Sequence, residues 1–322
     1  MGCSVSVRRL VARHGSWLLF GSRVDRIIDL INRPLGGCIV CYHHITSTTL
    51  EEQLKRLDRR YAIVTLSELV SRHAEGKSTA GLLAITFDDG FAQEVETGCA
   101  LAVKHNWPMT FYLSTDFVSS GEPFWFEEIG PLLLAAQPGG YRVNNLSFEL
   151  SDGSSRWRAR NRLVQHLFHR PSAEIVRFVK QLRKTFFGSP DPLPDIPIPG
   201  PISWERVKEL CHHDQVSFEA HSVTHPFFST FSAEEIHREM ETSRREIQKM
   251  TGKPVRHFCY PYGDVAAIGP LAPQIARSLF QSAVTIVRGR CRPDVDRAML
   301  PRIALFEHYT AAMAALKVEM TR

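Results

Sequence analysis

Short apolar runs alternate with helical patterns along most of the chain. Each run is five or six residues long and almost continuously apolar, as in strands of a parallel sheet that is covered on both faces. The helical periodicity between them indicates βα units, for which a (β/α) barrel is the natural architecture. Seven strands and an eighth candidate are predicted at CIVCYH (38–43), YAIVTL (61–66), LLAITF (82–87), MTFYLS (109–114), QVSFEA (215–220), RHFCYP (256–261), AVTIVR (283–288) and RIALF (302–306).

Residues 115–200 interrupt this rhythm. Three aromatic residues at 124–126 precede an apolar helical run, and polar and basic helical stretches follow. The proline-rich sequence SPDPLPDIPIPGP (189–201) then favours an extended surface connection. We predict a barrel over residues 37–322 that carries a helical insertion at about 115–200.

The first 36 residues form a basic, amphipathic segment. Leu10, Trp17, Val24 and Ile31 recur at seven-residue intervals with arginines between them, which indicates helical structure over 1–36. Such a helix can lie on an anionic membrane surface, although packing of its apolar side on the barrel is the commoner arrangement. Because no clear signal peptide is present, we expect a cytoplasmic protein with peripheral contact at the inner face of the membrane.

Composition excludes several classes of protein. With 43% hydrophobic and 23% charged residues, the 322-residue chain has the composition of a folded globular protein. Thirty-nine Lys and Arg against 34 Asp and Glu leave a mild basic excess without long basic stripes, so no nucleic-acid partner is expected. Seven cysteines, an odd number on a long chain, favour a reducing compartment.

Polar clusters follow four of the apolar runs. Because the carboxyl ends of barrel strands meet at one rim, where active sites lie, these clusters are expected to be close together. A doubled aspartate before glycine is often a solvated turn, and H-x-x-x-H is often a surface pattern. Together, however, one carboxylate and two imidazoles can provide three metal ligands and leave open positions for water and substrate. The clusters are Tyr42-His43-His44, Asp88-Asp89-Gly90, His221-Ser222-Val223-Thr224-His225-Pro226 and Tyr260-Pro261-Tyr262-Gly263.

TFDDG (86–90), HSVTHP (221–226) and F-x-Y-P-Y-G (258–263), in this order, resemble the first three motifs of the polysaccharide deacetylases, carbohydrate esterase family 4. The resemblance spans about residues 38–306. It implies a distorted (β/α) barrel with about seven strands and metal-dependent hydrolysis of N-acetyl groups on amino sugars. It also implies a divalent ion, with Zn²⁺ favoured, because a bound zinc ion generates a nucleophile at neutral pH.

The same resemblance implies a role for each motif residue. Asp88 is the catalytic base, and the backbone N–H of Tyr262 contributes to the oxyanion hole. The implied metal ligands are Asp89, His221 and His225.

Two positions depart from the common family pattern. Cys259 stands where the third motif usually has arginine, and His308 is the only late candidate for the general acid. The early Tyr-His and the late Leu-Pro-Arg-Ile resemble the branch that includes poly-N-acetylglucosamine deacetylases. By that resemblance His43 is the general acid, with His44 the less favoured neighbour. Arg302 either replaces the missing arginine or is an ordinary strand-end residue.

We therefore predict a metal-dependent hydrolase that removes N-acetyl groups from an N-acetylated glycan or a lipid-linked amino sugar. One alternative is a non-catalytic glycan-binding relative, suggested by Cys259, although an intact set of ligands argues against it. The other is a non-haem Fe(II) oxygenase, because two histidines and one carboxylate also form its metal site. The second aspartate and the βα order favour hydrolysis.

Overall fold

The computed structural model describes residues 36–191 and 197–321. Apart from Gly36, the predicted amphipathic segment lies outside the described residues. Its helix, its membrane contact and the expected cytoplasmic location therefore stay predictions. Among the described helices, none combines the length and the apolar character needed to cross a bilayer.

Ten strands form two sheets in the described part of the chain. They are β1 (Cys38–Tyr42), β2 (Ala62–Ile63), β3 (Leu82–Phe87), β4 (Met109–Leu113), β5 (Gly139–Val143), β6 (Leu146–Leu150), β7 (Val216–Ala220), β8 (His257–Cys259), β9 (Ser282–Val284) and β10 (Ile303–Leu305). The large sheet runs in the order β10-β1-β3-β4-β7-β8-β9, with the short β2 paired to β3, and every pairing in it is parallel.

The two ends of this strand path are joined. Leu300, just before β10, forms a parallel bridge with Val284 on β9, and its carbonyl accepts a hydrogen bond from Thr285 N–H. The curled sheet confirms the predicted distorted (β/α) barrel of about seven strands. The predicted strand over 61–66 is shorter than expected, because Thr65 caps the helix that begins at Leu66.

Helices surround the sheet and connect its strands. Those of the described residues are α1 (Ser47–Asp58), α2 (Leu66–Ala74), α3 (Ala92–His105), α4 (Thr115–Ser120), α5 (Trp125–Ala135), α6 (Gly153–Leu167), α7 (Ser172–Phe187), α8 (Trp204–Leu210), α9 (Ala233–Thr251), α10 (Val265–Ile268), α11 (Ala272–Leu279) and α12 (Ala311–Glu319).

Alternation along the strands separates two hydrophobic clusters. Val40, Ile85 and Phe111 belong to the large cluster between the sheet and its helices, whereas Ile39 and Ala84, their neighbours along the strands, belong to a second cluster. Because successive side chains of a strand point to opposite faces, the second set faces the barrel interior. Burial of each large apolar side chain contributes about 1.5–3 kcal/mol, which fixes this orientation.

The segment between β4 and β7 forms most of a separate hydrophobic cluster, to which Phe227 and Ala267 from outside the segment also belong. The segment contains α4 to α8 and an antiparallel hairpin, β5–β6, in which Val143 pairs with Leu146. This hairpin was not predicted, although the two turn residues Asn144-Asn145, with Asn144 at φ +52°, are a hairpin signal. That the segment is an insertion rather than an independent domain stays a prediction. Its buried cluster includes Ile129, Leu132, Leu163, Phe178 and Leu182.

Candidate active site

Asp88 continues the inward-facing set of β3, because it follows Ala84 and Thr86 at intervals of two residues. Its carboxylate is bound at both oxygens by the buried guanidinium of Arg302, with Nη1 2.7 Å from Oδ1 and Nη2 2.6 Å from Oδ2. Burial alone would raise the pKa of Asp88. The charge of Arg302 and the hydrogen bonds from His43 and Arg302 outweigh it and hold this pKa well below its ordinary value. Asp88 is therefore an oriented carboxylate.

Asp89, His221 and His225 converge on one point at the same rim. Each offers a donor atom within 4.8 Å of the other two, and all three side chains are buried. Nε2 of His221 lies 3.3 Å from Asp89 Oδ1, and Nε2 of His225 lies 3.4 Å from the same oxygen. Burial lowers the pKa of His225 to about 3, so this imidazole is neutral.

The backbone of β8 fixes the tautomer of His221. Nδ1 of His221 lies 2.7 Å from the carbonyl oxygen of Cys259, which can only accept a hydrogen bond. Nδ1 therefore carries a hydrogen, and Nε2 faces Asp89 Oδ1. Burial lowers the pKa of His221, but the hydrogen bond with Asp89 outweighs it and raises this pKa, so a metal ion at Nε2 would replace a proton there. This arrangement is the usual support of a metal-binding histidine.

A second possible donor set, Asp88, His221 and Cys259, also lies within 4.8 Å. It suits a metal less well, because Arg302 already occupies both oxygens of Asp88. Burial also raises the pKa of the Cys259 thiol well above its ordinary value, which disfavours the thiolate that binds metals. The set of Asp89, His221 and His225 fits a divalent ion such as Zn²⁺ better, because it offers one oxygen and two imidazole nitrogens.

Glu239 on α9 organises the loop that carries the two histidines. Its carboxylate accepts hydrogen bonds from Val223 N–H at 2.8 Å, Thr224 N–H at 2.9 Å and the Thr224 hydroxyl at 2.9 Å. This residue was not predicted from the sequence. The available signal was its position in the buried stripe of α9, between Ile236 and Met240, where a carboxylate needs partners.

Glu239→Gln is expected to weaken metal binding by about 10–100-fold, the range for loss of a residue that supports metal ligands. Glutamine keeps one acceptor oxygen but cannot accept all three hydrogen bonds as a charged group. The measurement is titration of the purified variant with Zn²⁺ against a competing chelator. Glu234→Gln, at an exposed position on α9, is the matched control. Equal affinity of the two variants would contradict this role for Glu239.

The three candidate acid histidines lie in different surroundings. Nε2 of His43 is 3.4 Å from Asp88 Oδ2. Both nitrogens of His44 are instead held by Glu127 and Glu94, whose hydrogen bonds raise the pKa of His44 to about 10. His308 is exposed and stacks on Phe306. Of the three, His43 is the one placed against Asp88.

The turn after β8 fixes the backbone of Tyr262. Tyr262 has φ +60°, and a Cβ atom on Gly263, at φ +70°, would lie 2.8 Å from the backbone nitrogen of Ile286. The Tyr262 ring stacks on Phe227 with centroids 3.8 Å apart, and its hydroxyl accepts a hydrogen bond from Trp125 Nε1 at 2.7 Å. These contacts hold the peptide in place, while its role in an oxyanion hole stays a prediction.

Backbone strain concentrates in the loops of this site. The described part of the chain has eight non-glycine residues with positive φ, and five of them lie in these loops. Each such residue costs about 1–3 kcal/mol, so surrounding contacts must hold it in place. The five are His44, Asp89, Ser222, His225 and Tyr262.

Fold and site together define a parallel (β/α)-barrel protein with a candidate metal site and a separate paired carboxylate at the strand ends. The chain belongs to the polysaccharide deacetylase family, whose model matches residues 75–278. No sequence among the curated proteins matches the chain.

Several solved structures resemble the whole barrel. The Streptococcus pyogenes deacetylase PplD in complex with acetate is 15% identical, with 89% of this chain and 98% of that chain covered and a TM-score of 0.57. IcaB from Ammonifex degensii is 15% identical, with 88% and 96% covered and a TM-score of 0.56. The BpsB deacetylase domain from Bordetella bronchiseptica is 13% identical, with 85% and 97% covered and a TM-score of 0.54. At these identities the likeness supports the fold.

Proposed function

We propose that the protein is a metal-dependent deacetylase that hydrolyses the N-acetyl amide of an amino sugar, in a glycan or in a lipid-linked precursor. The observation that carries this proposal is the donor set of Asp89, His221 and His225 beside a second aspartate, Asp88, which is held by Arg302. Two neighbouring carboxylates with different surroundings suit two different roles. Zn²⁺ is the favoured ion for this set of oxygen and imidazole donors.

Each residue of the site has a different role in the proposed hydrolysis of the amide. A bound Zn²⁺ ion lowers the pKa of water to about 7 and polarises a carbonyl group. Asp88 accepts the proton of the attacking water, with its oxygens oriented by Arg302. The N–H of Tyr262 stabilises the developing oxyanion, and one such donor contributes about 3 kcal/mol. His43 donates a proton to the leaving amine, which is otherwise a poor leaving group.

The position of Arg302 supports catalysis over the non-catalytic alternative. That alternative rested on Cys259, which stands where the family motif usually has arginine. Nη2 of Arg302 lies 3.1 Å from Cys259 Sγ. The guanidinium of Arg302, just before β10, is therefore close to the position from which the arginine of the motif is missing. Asp88 thus retains an arginine partner, which agrees with the proposal that Arg302 replaces the arginine of the motif.

The direct test is acetate release from a panel of N-acetylated glycans, glycolipids and nucleotide sugars, with and without added metal.

His225→Ala is expected to lower metal content from about one ion per chain by at least about tenfold and to abolish acetate release, because one of three protein ligands is lost. Elemental analysis after dialysis measures the metal, and circular dichroism checks the fold. His237→Ala, at an exposed position on α9, is the control.

Unchanged metal content in His225→Ala would show that the ligand assignment is wrong. Absence of acetate release from every substrate, in a protein that binds metal, would instead favour the non-catalytic alternative.

A further inference from the structure

A cavity of about 590 Å³ opens beside the candidate metal site. His225 and Tyr262 line it on the barrel side, so the cavity and the site share two residues. Helices α5 and α7 of the segment between β4 and β7 provide much of the opposite wall. Its volume lies within the range of about 300–1,000 Å³ that is typical of small-molecule sites.

Part of the wall from α7 is aliphatic. Ile175, Val176 and Val179 line the cavity from one face of the helix, and Phe124 and Phe227 add aromatic surface. Val176 is 53% exposed, so part of this apolar surface meets solvent. Aliphatic side chains cannot donate to or accept from sugar hydroxyls, whereas displacing water from them by hydrocarbon is favourable.

The buried charges in this wall satisfy one another. Nη2 of Arg183 lies 2.7 Å from Glu128 Oε2, its Nε contacts Glu128 Oε1, and its Nη1 donates to the carbonyl of Pro190 at 3.2 Å. Both side chains are largely buried, with Arg183 6% and Glu128 3% exposed. The pair therefore has little remaining capacity to bind a polar ligand. The other charged residues of the lining are exposed to solvent, so the buried part of the lining is largely apolar; they are Asp116, Glu122, Lys180 and Asp191.

We infer that this cavity binds a hydrocarbon chain carried by the amino-sugar substrate, so that the substrate is a lipid-bearing N-acetylated amino sugar. The inference rests on the proposed deacetylation, because it assumes that the sugar sits at the metal site. An acetyl group has one methyl group and is too small to fill the cavity. The chain is therefore the aglycone, on the sugar but separate from the amide that is hydrolysed. His225 and Tyr262 border both places, which makes the path from site to cavity continuous.

The test compares methyl and octyl glycosides of N-acetylglucosamine, with the octyl compound below the concentration at which it forms micelles. We expect kcat/KM for the octyl glycoside to be about tenfold higher or more. Each buried methylene is worth about fourfold in affinity, and ordering of the chain offsets part of this gain. The difference should appear mainly in KM, because the chain contributes equally to substrate and transition-state binding.

Two lysine variants distinguish an effect on chain binding in the cavity from a general effect of an added positive charge. Val176→Lys places a cation in the aliphatic wall and is expected to remove the preference for the octyl glycoside while activity on the methyl glycoside stays unchanged. Val103→Lys, at a comparably exposed valine on α3 outside the cavity, should keep the preference. Equal kcat/KM for the two glycosides in the wild-type protein, or equal preferences in the two variants, would overturn the inference.

Two further experiments test this inference separately from the proposed function. Octyl glucoside has no acetamide group, so calorimetric titration against methyl glucoside measures chain binding even if no acetate is released from any substrate. Tighter binding of octyl glucoside that is lost in Val176→Lys supports binding of the hydrocarbon chain in the cavity, and equal binding of the two glucosides overturns the inference.

An N-octanoyl methyl glycoside tests whether the cavity instead holds the acyl group of the amide. If kcat/KM rises with this compound but not with the octyl glycoside, the cavity holds the acyl group and the aglycone assignment is wrong.

Discussion

Asp88→Asn is expected to lower kcat for acetate release by about 10²–10⁴-fold while the protein still binds one divalent ion. Asparagine has nearly the same shape as aspartate, but its amide cannot accept the proton of the attacking water. Metal binding should persist, because Arg302 occupies both Asp88 oxygens and the donor set next to it uses Asp89 instead. Steady-state kinetics and elemental analysis of the same preparation measure the two quantities.

This substitution also leaves Arg302 as a buried charge without its carboxylate. Removing one partner of a buried pair costs about 3–5 kcal/mol, so Asp88→Asn alone is expected to lower Tm. Adding Arg302→Met removes the unpaired charge and should restore part of the stability. Activity should stay low in the double variant, because the base is still absent. This comparison separates loss of the base from loss of the fold.

The measured outcomes distinguish two roles for Asp88. Loss of metal from a folded Asp88→Asn protein would make Asp88 a ligand, and Asp89 would need another role. Recovery of turnover in the double variant would show that Asp88 acts by neutralising Arg302 rather than as the base.

Much of the site could be predicted because strand alternation is local information. His43, Asp88 and His221 each follow a strand at a position that continues its inward-facing residues. The apolar residues between them are fixed outwards by the packing of the helices, so the polar ends of three separate strands reach one rim. Both the alternation and the apolar runs can be read from the sequence, and the family motifs suggest the proposed chemistry.

Other features depend on contacts between distant parts of the chain. Arg302 lies just before β10, and the family resemblance alone made it a candidate. That its side chain reaches Asp88 through the barrel interior, past Thr86, depends on the position of β10 beside β1. Glu239 binds a loop more than a dozen residues before it in sequence. The cavity needs α7 and Tyr262 on opposite walls, and the position of α7 is set by a hydrophobic cluster that joins the segment between β4 and β7 to Phe227 and Ala267.

His43→Ala is expected to lower kcat on an N-acetylated sugar by about 10²–10⁴-fold and to leave metal content unchanged, because general acid help to a leaving amine has this magnitude. His43 Nε2 lies 3.4 Å from Asp88 Oδ2, and the side chain is 34% exposed, so it can reach both the base and a substrate in the open rim. The loss should be much smaller on an activated acetate ester, whose leaving group needs no proton.

The comparison of the two substrates separates acid catalysis from support of the base. If His43 acts only by holding Asp88, through their 3.4 Å contact, His43→Ala lowers the rate on the amide and on the ester by the same factor. His308→Ala is the control, because His308 is exposed and packs on Phe306 and Tyr309 rather than on Asp88. A substrate-dependent loss in His308→Ala, with His43→Ala nearly as active as wild type, would transfer the acid role to His308. It would also contradict the early-strand assignment, because the acid would then follow β10 rather than β1.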